Sequence, residues 1–226
     1  MRAQKPATIY LLRHGHSTAN AKSILAGRDF KVSLSATGKK QALAIESELK
    51  QKNFSRIYSS PLPRCLQTLE PIAESLKREI EISEGVIEME YGDWSGKKLA
   101  ILSRTKLWKS IQGRPSLVRF PNGESFLEMQ NRALETVRKV AIPGETILIC
   151  SHGDVIKAIV AGLLGLHLDN FQSLAIDPAS ISVVDISGDN ARIRLLNYTK
   201  YLHDLRFTGS GKNNLNLGGG GGATRE

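Results

Sequence analysis

Thr8-Ile-Tyr-Leu-Leu-Arg-His-Gly15 is a short apolar, β-prone run that passes directly into an arginine, a histidine and a glycine. The pattern returns at Glu145-Thr-Ile-Leu-Ile-Cys-Ser-His-Gly153. Continuous apolar runs of this length read as strands buried on both faces. Arg56-Ile-Tyr-Ser-Ser60, broken by Pro61, reads as a third strand. Helical segments separate them. Thr37–Lys52 places Ala42, Ile45 and Leu49 at helical spacing, and Leu62–Lys77 gathers Leu66, Leu69, Ile72, Ala73 and Leu76 on one face. Leu99–Ile111 and Ser125–Val140 read as helices as well. Gly153–Gly165 is apolar nearly all round, so a buried helix is expected there. Ile181–Ile186 and Ala191–Leu196 read as two further strands around a Gly188-Asp189-Asn190 turn. Strands alternating with helices predict an α/β fold, a three-layer α/β/α sandwich whose central sheet is mostly parallel.

Composition sets the limits on function. The chain has 226 residues, 41% hydrophobic and 23% charged, which fits one globular domain of ordinary composition. Two cysteines, Cys65 and Cys150, provide neither a disulfide framework nor a Cys-x-x-Cys site, so a reducing cytoplasm is the expected location. The N-terminal run ends at Arg13, and the most apolar stretch, Val155–Leu168, carries Lys157 and is too short to span a bilayer. No membrane partner is expected. Five consecutive glycines, Gly218–Gly222, mark residues from about 207 onward as a flexible tail behind a domain of residues 1–206. Net charge is +9, and Lys97, Lys98, Arg104, Lys106, Lys109, Arg114 and Arg119 lie in one segment without a single acid. That balance points to an anionic partner.

In open α/β sheets the reactive groups gather beyond the carboxyl ends of the strands. Three strands deliver chemistry there: Arg13-His14-Gly15, Ser59-Ser60-Pro61 running toward Arg64, and Ser151-His152-Gly153. A guanidinium is a permanently charged fork suited to phosphate oxygens, and strand-to-helix turns add backbone N–H groups. Together these make a pocket for a phosphoryl group. An imidazole inside it either donates hydrogen bonds as a cation or attacks phosphorus as a neutral nucleophile. Neighbouring arginines favour the neutral form.

These residues also resemble a family. Arg13-His14-Gly15-His16-Ser17-Thr18-Ala19-Asn20 resembles the R-H-G-x-[ST]-x-x-N signature of the histidine phosphatase, or phosphoglycerate-mutase-like, superfamily. Leu34-Ser-Ala-Thr-Gly38, Ser59-Ser-Pro-Leu-Pro-Arg-Cys-Leu-Gln-Thr68, Glu88-Met-Glu-Tyr-Gly-Asp-Trp-Ser-Gly96, Gly123-Glu124-Ser125 and Ser151-His152-Gly153 follow in the family order. The resemblance implies His14 as a nucleophile that forms a phosphohistidine. It implies Arg13, Arg64 and His152 as ligands of the phosphoryl oxygens. Ser17, Asn20 and Gly153 would line the substrate pocket. Glu84, Glu88 and Glu90 lie too close together for residue type alone to choose among them, and the family pattern selects Glu88 as proton donor. No metal and no cofactor are implied. The segment after Gly96, about residues 97–140, would form a helical cap, whose cations could add a second anion contact.

The same family contains mutases, which resemble E-R-H-Y-G around the acid. Here Met89 and Glu90 replace the Arg and His, and the Gly-Asp-Trp-x-Gly continuation at Gly92–Gly96 looks like the phosphatase branch. A metal-independent phosphomonoester hydrolase acting on a small phosphorylated metabolite is therefore expected, as a monomer or homodimer. The alternatives are a phosphomutase or a silent phosphate-binding protein. A metal site on His14, His16 and Asp154 lacks any His-Glu-x-x-His or cysteine set and would place a dication beside two arginines. No nucleic-acid module, no G-x-x-x-x-G-K-[ST] loop and no G-x-S-x-G elbow occurs. His167 and His203 read as structural or surface residues. The Cys65 thiol, beside Arg64, reads as buried and inert.

Overall fold

The computed structural model describes residues 5–205. The predicted tail therefore lies outside the described residues. Six strands form one sheet: β1 (Ala7–Arg13), β2 (Arg56–Ser59), β3 (Ile80–Ile82), β4 (Thr146–Ser151), β5 (Ile181–Ser187) and β6 (Asn190–Tyr198). Their order is β3-β2-β4-β1-β5-β6. The first four run parallel, whereas β5 and β6 are antiparallel additions. The expected mostly parallel sheet is present.

Side-chain alternation along the strands builds two cores. Ile9, Leu11, Ile147 and Ile149 face one way, toward the helices α6 (Phe126–Val140) and α7 (Gly153–Leu163), which pack on each other. Leu12, Ile57, Leu148 and Cys150 face the other way, toward Ile45 and Leu49 of α2 (Ala36–Leu49) and Leu69 and Ile72 of α3 (Pro63–Leu76). Helices thus cover both faces, giving the three-layer sandwich. Among the described residues no helix is long and apolar enough to cross a membrane.

Three local readings change. The helix expected over Leu99–Ile111 is two, α4 (Leu99–Leu102) and α5 (Lys106–Gly113). Thr105 breaks the run, because its Oγ1 accepts the Trp108 N–H at 3.3 Å and caps a new start. The apolar spacing was right, since Leu99, Leu102, Trp108 and Ile111 are all buried, but periodicity does not register a cap. The edge strand β3 and the single turn α1 (Thr18–Ala21) had no counterpart in the sequence reading. A three-residue strand leaves too few alternations to detect. Within the stretch expected as a cap, α4 and α5 lie beyond Trp94, while α6 belongs to the layer packed on α7.

Candidate active site

Parallel register brings the three reactive strand ends together. Arg13 lies opposite Ser151, and Ser59 opposite Cys150. The His14 N–H donates to Ser151 O at 3.0 Å and the Ser60 N–H to Cys150 O at 3.0 Å, so the ladder runs one residue past the strands. His14, Ser60 and His152 therefore leave the sheet at one edge. His152 is the N-cap of α7 and Gly153 its first residue, which sets the positive end of that helix at the site. Arg64 arrives from the first turn of α3.

The loop carrying His14 is fixed from three sides. The Gly15 N–H donates to Thr68 Oγ1 at 2.9 Å, and that hydroxyl donates to Arg64 O at 2.6 Å. The His16 N–H donates to Gln41 Oε1 at 2.7 Å. Gly38 lets the loop approach α2, because a Cβ there would sit 2.1 Å from His16 O. This gives the L-S-x-x-G element its physical reason.

Hydrogen bonds assign both imidazoles. His14 Nδ1 lies 2.7 Å from Gly15 O, and a carbonyl only accepts, so Nδ1 carries the proton and Nε2 keeps its lone pair. Arg64 Nη2 lies 3.2 Å from His152 Nδ1, and a guanidinium only donates, so that nitrogen accepts. The proton of His152 then sits on Nε2, which donates to Ser60 Oγ at 2.8 Å. The rings stand edge-on with centroids 5.2 Å apart. Burial, followed by the charge of Arg64, holds both histidines well below the usual imidazole range, so both are neutral at pH 7.

Arg64 Nη2 also donates to Gly27 O at 2.9 Å. Its Nη1 is buried with no hydrogen-bond partner among the described residues. An unmatched guanidinium N–H beside a neutral imidazole suits an incoming oxyanion. Arg13 Nη1 donates to Ile176 O at 2.6 Å, which ties its guanidinium to the loop before β5.

Glu88 Oε2 stands 3.6 Å from His152 Nδ1 and 3.9 Å from Arg64 Nη2. Burial first, and then the charge of Asp154, raise its carboxyl to about 7. Of the glutamates the sequence could not separate, only Glu88 lies among these groups. Glu84 begins a 3-10 turn, and Glu90 is partly exposed, with Oε2 3.5 Å from Arg28 Nη1. Met89 is buried in the core and faces no substrate.

His14, Arg64 and Glu88 line a narrow cleft with Ser17, Asn20 and Tyr91. Ser17 and Asn20 brace each other in a capping box: Asn20 Oδ1 accepts from the Ser17 N–H at 2.9 Å and from Ser17 Oγ at 2.8 Å. None of the seven cations of the 97–119 segment lines this cleft. All seven are exposed, and Lys109, Arg114 and Arg119 flank a separate shallow groove beside Leu117. Among the described residues, no three His, Cys, Asp or Glu side chains are grouped to hold a metal ion.

Sequence reasoning missed the clamp behind Glu88. Arg28 Nε and Arg132 Nη2 donate to Glu88 O at 2.9 and 3.1 Å. Glu124 joins them, accepting from Arg28 at 3.1 Å and from Arg132 at 2.6 and 3.0 Å. The Gly123-Glu124-Ser125 element was visible, but its partners come from two other parts of the chain. Gly92 allows the same region to close: its φ is +51°, and a Cβ there would lie 2.0 Å from Pro121 O.

Comparison with known proteins agrees with this geometry. The histidine phosphatase superfamily (branch 1) matches residues 9–199. Phosphoserine phosphatase 1 of Hydrogenobacter thermophilus is 33% identical over 202 residues, covering 87% of this chain and 95% of that protein. A Proteus mirabilis protein named "Probable phosphoglycerate mutase GpmB" is 30% identical over 182 residues, covering 78% and 84%. Among solved structures, Bacillus stearothermophilus YhfR superposes with a TM-score of 0.79 at 26% identity, covering 86% of this chain and 98% of that one. By the length matched and the identity shared, the chain is a member of the histidine phosphatase superfamily, branch 1, and an enzyme of the phosphatase type.

Proposed function

We propose that this chain hydrolyses small phosphomonoesters through a phosphohistidine on His14. The observation that carries the reading is the Nδ1–H bond to Gly15 O, which leaves the Nε2 lone pair of a neutral, buried imidazole at the cleft. In the first step Nε2 attacks phosphorus as the ester P–O bond breaks. Arg13 and Arg64 hold the phosphoryl oxygens, His152 steadies the Arg64 guanidinium through Nδ1, and protonated Glu88 gives its proton to the leaving oxygen. In the second step the Glu88 carboxylate takes a proton from water, whose oxygen attacks the phosphohistidine. Inorganic phosphate leaves and His14 is restored. Ser17, Asn20 and Gly153 shape the wall that receives the rest of the substrate.

Hydrolysis is favoured over transfer because Met89 and Glu90 stand where the mutase pattern carries Arg and His. The similarity to a phosphoserine phosphatase makes phosphoserine the first substrate to try.

The test is phosphate release from phosphoserine and from p-nitrophenyl phosphate in excess chelator, with alkaline quenching to trap labelled enzyme. Wild type is expected to turn over and to carry label. His14→Ala is expected to lose roughly 10⁴-fold in turnover and all label. Turnover or label persisting in His14→Ala would remove the nucleophile assignment. Transfer to a hydroxyl acceptor in preference to water would make the enzyme a mutase.

A further inference from the structure

In the proposed reaction His152 acts through Arg64, and what holds His152 lies on its other side, away from the cleft. Its Nε2 is 2.8 Å from Ser60 Oγ and 3.6 Å from Cys65 Sγ. All three residues are fully buried. Among the described residues neither Ser60 nor Cys65 lines the cleft, so neither meets the substrate. The sheet sets Ser60 in place. Its N–H donates to Cys150 O at 3.0 Å, and its carbonyl accepts the Ser59 hydroxyl proton at 2.8 Å.

A neutral imidazole has one proton to place on two nitrogens, and its neighbours choose the nitrogen. On Nδ1 that proton would point at Arg64 Nη2, 3.2 Å away, and two donors would face each other. On Nε2 it meets acceptors. The Cys65 thiol donates to Ser151 O over 3.6 Å, which turns a sulfur lone pair toward the ring, and Ser60 Oγ supplies the shorter and stronger contact. The other side has a competitor. Glu88 Oε2 lies 3.6 Å from Nδ1, and once Glu88 has given up its proton, its carboxylate would draw the imidazole proton there.

We propose that Ser60 is a positioning residue that holds the His152 proton on Nε2, so that Nδ1 keeps the lone pair that aims the Arg64 guanidinium at the phosphoryl oxygens. This rests on the reading of Arg64 as a phosphoryl ligand. The geometry at Arg64 shows why the proton matters. Nη2 carries two protons, one for Gly27 O at 2.9 Å and one for His152 Nδ1. With both placed, the guanidinium plane is fixed and Nη1 presents its N–H groups in one direction. A proton on Nδ1 would take away the second of those bonds and put a repulsion in its place. The guanidinium would then pivot about Gly27 O. A serine that only filled the end of β2 would have no such effect, because alanine in its place would leave the imidazole proton where it is.

Two measurements on the whole enzyme test this. Proton–nitrogen correlation spectra of isotope-labelled protein, with the His152 signals assigned by their loss in His152→Gln, tell a protonated ring nitrogen from a bare one. Competition by inorganic phosphate reports the presentation of Arg64. Wild type is expected to show Nε2 protonated and Nδ1 bare. Ser60→Ala is expected to populate the Nδ1–H form and to bind inorganic phosphate about tenfold more weakly. A wild-type spectrum with the proton on Nδ1 would overturn the proposal, and that spectrum needs no variant. Weaker phosphate binding in Ser60→Ala with the proton still on Nε2 would also overturn it, since that is the mark of a structural role alone. So would a moved proton with phosphate affinity unchanged. Arg64→Gln separates the two readings. If it leaves phosphate affinity unchanged, the phosphoryl-ligand reading fails and the inference falls with it. If it weakens phosphate binding while Ser60→Ala does not, only the inference fails.

Discussion

Two regions of this molecule are rich in charge and handle it in opposite ways. Around His14, Arg13, Arg64, Glu88 and His152 are each no more than 4% exposed. The side chains of Arg64, Glu88 and His152 each meet partners from more than one part of the chain, while His14 is held by Gly15 O and Arg13 by Ile176 O. Between Lys97 and Arg119 seven cations stand in water, and of these only Arg119 pairs with an acid among the described residues, at Glu128. Buried charges interact strongly and shift one another, whereas exposed ones are screened and mostly independent. Most of the net charge of +9 therefore sits where it does least chemistry. The phosphate-directed charge is a small enclosed set that composition could not reveal.

Substitutions should separate the regions by orders of magnitude. After the loss of His14 itself, the largest effect is expected at Arg64. A lysine cannot reach Gly27 O and His152 together while presenting a further N–H, so Arg64→Lys should cost roughly 10²–10³-fold in kcat/KM. A loss below about fivefold would mean the guanidinium is not a phosphoryl ligand. An intermediate effect is expected at Glu124→Gln, which removes the charge holding Arg28 and Arg132 behind Glu88. Steady-state kinetics should show kcat down roughly tenfold with KM little changed, and denaturant melts should show a loss of about 1–3 kcal/mol, since the group is partly exposed. A change in KM alone would place Glu124 on the substrate instead. The smallest effect belongs to the exposed segment. The triple variant Lys106→Gln, Lys109→Gln, Arg114→Gln should stay within about twofold in kcat/KM and about 0.5 kcal/mol in stability. A tenfold loss would restore the second anion contact that the sequence offered as a possibility, and it would erase the contrast between the regions.

The same contrast explains what was legible in the sequence. His14, Arg13, Arg64 and His152 sit at the ends of strands or in the turn just beyond, inside contiguous motifs, so pattern and position could be read together. Glu88 needed the family pattern to be told from Glu84 and Glu90, because all three lie in one short non-repetitive stretch. Arg28, Arg132 and Tyr91 were not read as site residues, and Asp154 was weighed only for a metal site. Arg28 and Arg132 reach Glu88 O, and Tyr91 reaches Asp154, only once distant parts of the chain have packed, and no local spacing encodes those meetings. The break at Thr105 was hidden for a different reason: a cap is one hydroxyl, whereas periodicity averages over turns.

The parallel register at the carboxyl edge also bears on how the protein comes into being. β1 and its parallel neighbour β4 are separated in the chain by β2, β3 and the helices α2–α6. His14 and His152 belong to those two strands' ends, so neither is in place until that distant pairing has closed. Contacts so far apart in sequence form late and slowly. A nascent chain that still lacks β4 carries the nucleophile without the groups that would let it react. Catalytic competence therefore waits on the pairing of β1 with β4.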